Sequence, residues 1–430
     1  MNRVFEYNLV IARHLIQFEQ EIKYAFGYVN LYYNLHFNSA SDRFFYYGGS
    51  QSDMPATFFE EYVTIDKRGL NLCKDKIPLL DKLWPTLPQN SQNTGPQFDA
   101  IGLIFFMLSR IEERDSKMVD KHNRFMSSAS VAVKRGWNQI PVVDEFARQT
   151  ANLITGQRRK ENSQFTVKLT HDVDRLRKYH HFLEPVRYTL GDIFKRKIGM
   201  SAFQRLQAYR SNEPWHSVKM LMDLSDSYSL KSNFFFMGPS NLSMDSSYCL
   251  RMKPLLKKIT EMIIMSGHNI GFHPGYATYN KASEFEMQKE SLENIINLRL
   301  TEGRQHVIRY DCLHTPIIWD KSGMKHDYSL FYPDKIGFRN GSCRPYQSYD
   351  LINRKKLQLL QTSTAIAEFS LLDPRYNNFS IQDALDNCNT VIKNVLKFQG
   401  KLVILFHTHQ TTGPKWIFYN KLIAQLSAQL

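Results

Sequence analysis

Residues 165–174 read FTVKLTHDVD, in which apolar and polar residues alternate before the run ends in two carboxylates. The alternation predicts a β-strand, because successive side chains of a strand point to opposite faces. Asp172 and Asp174 are two positions apart and therefore face the same side of this strand. Two carboxylates in that position can divide the roles of general base and metal ligand. The stretch thus predicts a strand of a sheet and the edge at which the chemistry lies.

Strands and helices alternate from this stretch to the end of the chain. Further strands are predicted at 232–237, 268–273, 306–311 and 401–407, and helices at 216–229, at 253–267, from a capping box of Ser283 and Glu286 to near Leu300, and before Gly400. This alternation indicates a parallel sheet, either as a barrel or as a doubly wound sheet. In both arrangements the catalytic groups gather at the carboxyl ends of the strands.

Two of the predicted strands end in histidine. His273 closes one strand and is followed by Pro274-Gly275, and His407 closes the last strand within the run FHTH (406–409). A histidine whose pKa is near neutral is the usual proton donor to a leaving group. Carboxylates and histidines at the ends of separate strands together predict metal-assisted hydrolysis.

These strand ends resemble the motifs of the polysaccharide deacetylase family, of the NodB-homology, carbohydrate esterase type, over residues 165–410. LTHDVD (169–174) is similar to the family's first motif, SNFFFMG (232–238) to its Ala-Thr-Phe-Phe strand, GHNIGFH (267–273) to its Gly-His-Glu-Ile-Gly-x-His motif, and ILFH (404–407) to its Leu-x-x-His motif. The resemblance implies an α/β fold in the form of a distorted (β/α) barrel.

The same resemblance implies roles for the residues in these motifs. Asp172 would be the base, Asp174 and His273 would bind the metal, and His407 would be the catalytic acid. His268 is expected to pack within the protein rather than to bind metal.

One position departs from the family pattern. The family usually places a second metal-binding histidine four residues after the first, and here that position is Ala277. A catalytic zinc needs about three protein ligands and a water. Tyr276, His306 and His409 are the candidates for the third ligand, and we expect His306, on the next predicted strand, to complete the site.

The family also uses an arginine to orient the base, and two arginines are candidates for that role. Arg309 lies on the predicted strand 306–311, and Arg339 lies in GFRNG (337–341). Either guanidinium could hold the Asp172 carboxylate in a bidentate contact. Arg309 fits the order of the family's motifs better.

The first part of the chain has a different pattern, in which helical and irregular segments mix. GQRRKENSQ (156–164) is polar and charged, and its basic run 158–160 is expected to be a solvated linker. We therefore expect a smaller α+β domain at 1–156 and the catalytic domain at 165–430. FFMLSRIEE (105–113) and PVVDE (141–145) look like hallmarks of an N-terminal domain of unknown role that such proteins often carry.

Composition limits the partners and the compartment. The 430 residues include 55 basic and 41 acidic ones, and the net charge of +14 would favour anionic partners. The basic residues are spread along the chain, so we do not expect nucleic-acid binding. Five widely spaced cysteines without a Cys-x-x-Cys pair argue against a disulfide framework or a thiolate zinc site. The N-terminus has no continuous apolar run of the signal-peptide kind and no stretch of about 18 apolar residues occurs, so we expect a cytoplasmic protein without a transmembrane segment.

The residues and the resemblance together predict hydrolysis of an acetamide or an acetate ester on a sugar. The expected partner is an acetylated carbohydrate or glycan, and the expected cofactor is a divalent metal, Zn²⁺. Two alternatives remain open. A metal-independent amidohydrolase acting on a small amide would agree with Ala277, and a glycan-binding or assembly protein with a decayed site would not need the catalytic residues.

Overall fold

The structure, a computed structural model, describes residues 4–49, 52–73, 98–176 and 216–429, together with residues 183, 186 and 190. The strands are β1 Phe5–Ile11, β2 Leu35–Phe37, β3 Phe44–Tyr47, β4 Val63–Asp66, β5 Gly69–Leu72, β6 Thr166–Val173, β7 Ser232–Met237, β8 Asn269–His273, β9 Glu302–Gly303, β10 His326–Asp327, β11 Tyr346–Asp350, β12 Lys355–Gln361, β13 Ile366–Ala367 and β14 Lys401–Leu405. The α-helices are α1 Glu19–Tyr33, α2 Ala100–Ser109, α3 Val131–Lys134, α4 Val142–Thr155, α5 His216–Ser227, α6 Tyr248–Arg251, α7 Lys253–Met265, α8 Ala282–Ile296, α9 Thr315–Lys321, α10 Glu368–Leu372, α11 Ile381–Lys397 and α12 Gly413–Ser427.

A nine-stranded sheet organises the chain from residue 166 onward. Its order is β11-β12-β10-β9-β8-β7-β6-β14-β13, and every neighbouring pair is parallel except β11 with β12. All six residues of β7 are buried, as expected of a central parallel strand that is covered on both faces. The predicted parallel sheet with alternating helices is therefore confirmed.

The segment from β12 to β13 connects two distant parts of this sheet. At its start, Gln361 pairs with Asp327 of β10, and only five residues later Ile366 pairs with Ile404 of β14. A single stretch of chain thus contacts both flanks of the parallel strands. As a result, the carboxyl ends of β6, β8, β9, β13 and β14 face one cavity.

Two local predictions about secondary structure are wrong. The apolar run 306–311 is not a strand: the chain leaves the sheet after β9 and forms a 3-10 turn at His306–Ile308, with φ of +55° at Val307 and +51° at Ile308. The close approach of β8 explains why β9 contains Gly303, since a Cβ there would lie 1.9 Å from the carbonyl oxygen of Phe272. The predicted capping box is also absent, because α8 already begins at Ala282 and encloses Ser283.

The residues before 156 pack directly on the later part of the chain. Strand β1 pairs in parallel with both β2 and β3, and all ten residues of α2 are buried. The apolar cluster around α2 also contains Tyr346, Tyr349 and Leu351, which belong to β11 and the turn that follows it. One hydrophobic core is therefore built from both parts of the chain.

The sequence motifs FFMLSRIEE and PVVDE supply buried carboxylates to this contact. Glu113 forms a bidentate ion pair with Arg339, at 2.8 and 2.6 Å, and both side chains are almost fully buried. Asp144 accepts the backbone N–H of Cys343 at 2.9 Å and lies 3.6 Å from Arg344. The two motifs thus hold the loop that carries both arginines.

The basic run that was expected to be solvated is anchored at its centre. Arg159 is buried, and its guanidinium donates to the backbone carbonyls of Tyr33 and Asn34. The linker prediction is wrong at this residue because the carbonyls at the end of α1 need donors that α1 itself does not provide.

Two composition-based expectations can be compared with the structure. All five cysteines are free. Among the described helices, none combines the length and apolar character that crossing a membrane would need.

Candidate metal centre and catalytic site

The base candidate, Asp172, is fixed by an arginine that the motif comparison did not select. Nη1 of Arg304 donates to Oδ1 of Asp172 at 2.7 Å. The second terminal nitrogen of Arg304 donates to Thr170 and to Thr364, each at 2.8 Å, and the guanidinium is completely buried. Because these contacts leave the guanidinium little freedom, the orientation of the carboxylate is fixed as well.

The two arginines predicted to orient Asp172 are held elsewhere. Arg309 donates to the backbone carbonyls of His122 and Tyr276, at 2.8 and 2.9 Å. Arg339 is paired with Glu113. The predicted contact of Asp172 with Arg309 or Arg339 is therefore replaced by the contact with Arg304, because the strand ends at Gly303 rather than beyond residue 309.

The three predicted metal ligands lie together. One potential ligand atom from each of Asp174, His273 and His306 lies within 4.8 Å of the other two. Nε2 of His273 is 3.4 Å from Oδ1 of Asp174. This cluster brings β6, β8 and the turn after β9 to one point and is a possible three-residue metal site.

Hydrogen bonds fix the tautomers of both histidines in this cluster. Nδ1 of His273 lies 2.5 Å from the carbonyl oxygen of Arg304, and Nδ1 of His306 lies 2.6 Å from Oδ1 of Asp245. Both oxygens are acceptors, so each Nδ1 carries the proton and each Nε2 presents a lone pair. Such an arrangement is typical of metal-binding histidines.

The side chains of Asp174, His273 and His306 are suited to bind a divalent cation. Oδ1 of Asp174 and Nε2 of His273 are buried and have no hydrogen-bond partner among the described residues. Unpaired buried polar atoms are costly, and a cation between them would satisfy both. One carboxylate and two imidazoles, with further positions open, match the ligand number of a catalytic zinc site.

Electrostatics keeps Asp174 ionised. Burial alone would raise its pKa, but the contact with His273 and the nearby positive charge of His407 outweigh burial, so the pKa lies well below its ordinary value. An ionised carboxylate is the form that binds a cation.

The acid candidate, His407, is backed by a buried carboxylate. Its Nδ1 lies 2.7 Å from Oε1 of Glu368, and its Nε2 lies 3.8 Å from Oδ2 of Asp174. Burial alone would lower the pKa of His407, but the charge and hydrogen bond of Glu368 outweigh it and raise the pKa to about 9. His407 is therefore protonated at neutral pH in the metal-free protein, as a proton donor must be.

Three further positions that the sequence analysis named are His268, Ala277 and Tyr276. Nδ1 of His268 accepts the backbone N–H of Ser232 at 3.0 Å, so His268 packs within the protein as expected. Ala277 is the residue before the 3-10 turn Thr278–Asn280. The Tyr276 hydroxyl is 3.3 Å from Nδ1 of His122, outside the metal cluster.

A cavity of about 300 Å³ opens onto the candidates for base, acid and metal ligands. Its lining includes Asp172, Asp174, His273, His306, Glu368, His407 and His409. Residues from the first part of the chain and from the loop after α10 complete the wall. The cavity has the size of a small-ligand site with polar groups converging at one end.

Three residues of the site were missed by sequence reasoning, namely Arg304, Asp245 and Glu368. Arg304 directly follows a strand of two residues, which gives no periodic signal. Glu368 follows the short apolar run 365–367, and a charge at the end of such a run was the available signal. Asp245 stands among polar residues of a loop, so only the tertiary structure identifies it.

Comparison with known proteins adds the following. A family model described as a family of unknown function, DUF7033, matches residues 6–158. Twelve chains of solved structures match. A protein of Mycobacterium smegmatis assigned as a polysaccharide deacetylase has 16% identity and a TM-score of 0.41, with 62% of this chain and 85% of that chain covered.

Two further solved structures illustrate the range. The catalytic domain of a peptidoglycan N-acetylglucosamine deacetylase from Eubacterium rectale has 12% identity and a TM-score of 0.31, with 62% of this chain and 86% of that chain covered. A CE4 family pseudoenzyme from Bacillus anthracis has 12% identity and a TM-score of 0.31, with 62% of each chain covered. A comparison with curated proteins finds no match. Function is therefore inferred from the residues of the site.

Proposed function

We propose that this chain is a metal-dependent hydrolase that removes acetyl groups from a carbohydrate or glycan. The observation that carries the proposal is the convergence, in one cavity, of a fixed carboxylate, a cluster of three possible metal ligands and a histidine paired with a buried carboxylate. These are the groups that hydrolysis of an amide or ester needs: a base, an electrophile and an acid.

Asp174, His273 and His306 would hold the cation, and we propose Zn²⁺ because two imidazoles and one carboxylate suit it. When bound, the cation supplies Lewis-acid polarisation of the acetyl carbonyl and lowers the pKa of water near it. The chain's own contribution begins with orientation. Asp245 and the carbonyl of Arg304 fix the two imidazole rings in the required tautomer.

Proton transfer is divided between the two sides of the cluster. Asp172, held by Arg304, takes the proton from the attacking water. His407, kept protonated by Glu368, gives a proton to the departing amine or alkoxide. The two groups have different roles because their partners differ. Asp172 faces the guanidinium of Arg304, and His407 faces the carboxylate of Glu368.

We further propose that residues 165–430 form the distorted barrel of this catalytic unit and that residues 1–156 form a second, supporting unit. The support for a barrel is the segment 360–367, in which Leu360 and Gln361 pair with β10, and Ile366 and Ala367 pair with β14. Chain continuity would then close a ring that starts at β10 and ends at β14.

Acetate release provides the test. Purified zinc-loaded protein is incubated with N-acetylglucosamine oligomers and with O-acetylated xylo-oligosaccharides, and acetate is measured against an Asp172→Asn variant. We expect release by the natural protein and none above background by the variant. Equal release by both proteins would show that the acetyl hydrolysis does not use this site.

A further inference from the structure

The part of the chain before residue 156 contributes directly to the wall of the cavity. His122 and Arg124 line it together with the metal and base candidates. They lie on a tight turn in which Val119 and Phe125 form an antiparallel bridge and the N–H of Met126 donates to the carbonyl of Met118. A turn from one part of the chain therefore covers the chemical groups of the other.

Contacts of Arg309 and Arg124 hold this turn next to the metal cluster. Arg309 donates to the carbonyl of His122 and to that of Tyr276, and its guanidinium stacks on the Tyr276 ring at 4.1 Å. The guanidinium of Arg124 contacts the carbonyl of Val307 at 3.4 Å, next to His306. Arg309, which sequence reasoning placed at the base, is thus a positioning residue for the turn.

Basic side chains also line the cavity. Outside the metal and base candidates and the pair of His407 with Glu368, the charged lining residues are Arg124, Arg375, Lys415 and Asp373. Asp373 is shared, because it forms two hydrogen bonds with Arg375 and lies 3.7 Å from Lys415. Asp373 is therefore one carboxylate between two cations, and the group of Arg375, Lys415 and Asp373 carries one net positive charge.

Arg124 adds donors to this region without adding net charge. It pairs with Asp120, and its contacts with Asp120 and Val307 use only part of its five N–H donors. A planar guanidinium with donors to spare suits the oxygens of a carboxylate or a phosphate.

We propose that Arg375, Lys415 and Arg124 form a subsite for an anionic group, a carboxylate or a phosphate, on the carbohydrate that enters the cavity. The inference rests on the proposed function, since it names the class of sugar that this site takes. The three cations would hold an acidic sugar unit. The acetyl group of the neighbouring sugar unit would then reach the metal cluster. Steering by the same charge would also favour its entry.

The kinetic test compares matched substrates. Zinc-loaded protein is given an O-acetylated oligouronate and an O-acetylated neutral xylo-oligosaccharide, and the ratio of the two kcat/KM values is determined. We expect a preference for the oligouronate that falls at least about tenfold in Arg375→Gln and in Lys415→Gln, mainly through KM.

Arg375 is 76% exposed, so its substitution leaves the core intact. The matched control is Arg13→Gln, the same change at an exposed arginine outside the cavity lining, which keeps the preference of the natural protein.

Inhibition distinguishes the two sources of negative charge. Glucuronate that competes with the neutral substrate assigns the subsite to a uronic acid, and inorganic phosphate that competes assigns it to a phosphorylated sugar. Inhibition by neither, together with no preference for the oligouronate, overturns the proposal.

A binding measurement separates this proposal from the proposed function. Calorimetry with an unacetylated oligogalacturonate needs no hydrolysis. Binding that weakens at least about tenfold in Arg375→Gln supports the subsite even if no acetate is released from any substrate. Acetate release without such binding and without any charge preference leaves the hydrolase standing and rejects the subsite.

Discussion

Nη1 of Arg304 lies 2.7 Å from Oδ1 of Asp172, although the two residues are 132 positions apart in the chain. Both side chains are buried, so each charge depends on the other for compensation. The pair places a carboxylate, in one orientation, at the carboxyl end of β6. It also gives Arg304 the role of holding the proposed base.

Substitution of Arg304 by lysine tests this role. The ammonium keeps the positive charge but cannot reproduce the planar fork that contacts Asp172, Thr170 and Thr364. We expect kcat for acetate release to fall about 100-fold with little change in KM, because a misplaced base affects the transition state rather than binding. Arg339→Lys is the control: it changes the melting temperature and leaves kcat near that of the natural protein. An Arg304→Lys protein with full kcat would show that Arg304 is not needed to hold Asp172 in position.

Asp172 and Asp174 are two positions apart, yet their substitutions should have different effects. Asp172→Asn removes the base and spares the ligand, so acetate release is lost by at least about 100-fold while zinc content is unchanged. Asp174→Asn removes the only carboxylate of the metal cluster, so zinc content falls. Zinc is measured by elemental analysis of the purified variants. Near-normal deacetylation by both variants would contradict the mechanism.

His306 should behave as a ligand, and Ala277, four residues after His273, offers a place to restore a lost imidazole. We expect His306→Ala to lower zinc affinity as strongly as His273→Ala does, and Ala277→His in the His306→Ala protein to restore part of it. Asp245→Asn should weaken zinc binding by about 10- to 100-fold, because Asp245 only orients His306. Competition with a chelator gives the affinities. Unchanged zinc binding in His306→Ala would exclude His306 as a ligand and leave His409, or a site with no metal, to be considered.

The pairing of His407 with Glu368 predicts a pH dependence of stability in the metal-free protein. The pKa of His407 is raised from 6.5 in the unfolded chain to about 9 in the folded one, because Glu368 outweighs the opposing effect of burial. Protonated His407 therefore stabilises the fold fully below pH 6.5, and this contribution is lost as the pH rises through about 9.

Urea unfolding between pH 6 and pH 10 measures this effect, with Glu368→Gln as the comparison. We expect the difference in free energy of unfolding between natural protein and variant to shrink as the pH rises across that range. A difference that does not change with pH would show that His407 is not protonated by contact with Glu368.

The ion pair between Glu113 and Arg339 predicts that the two parts of the chain unfold together. Glu113→Gln leaves a buried arginine without its partner, so we expect a loss of about 3–5 kcal/mol in the free energy of unfolding. Glu19→Gln removes an exposed pair with Lys23 and should cost less than about 1 kcal/mol. Denaturation followed by circular dichroism gives both values. Two separate unfolding transitions in the natural protein would contradict the shared core.

Sequence reasoning located the strands whose periodicity is strong. The run 232–237 is β7 residue for residue, since Phe234, Phe235, Phe236 and Met237 form a continuous apolar run. It failed at 306–311, where Val307 and Ile308 look like strand residues but adopt left-handed backbone conformations after the chain has left the sheet. Because the strand was predicted at 306–311 and not at Glu302–Gly303, Arg309 was expected to orient Asp172, whereas Arg304 does so.

The residues that orient the site could not be predicted for a different reason. Asp245 and Glu368 act only through histidines that are 61 and 39 positions away in the chain. Their function follows from tertiary contacts, which no local pattern encodes. In contrast, strands end at or close to Asp172, Asp174, His273 and His407. The topology of a parallel sheet alone brings such strand ends together.

The dependence of acetate release on zinc tests the central claim most directly. Protein freed of metal by chelation is titrated with zinc, and acetate released from an acetylated oligosaccharide is measured at each addition beside the amount of bound zinc. The account predicts no release without zinc and a linear rise that ends at one equivalent per chain, with His273→Ala failing to respond over the same range. Undiminished acetate release by the metal-free protein, or zinc binding at one equivalent without any release from neutral or acidic acetylated sugars, would contradict it.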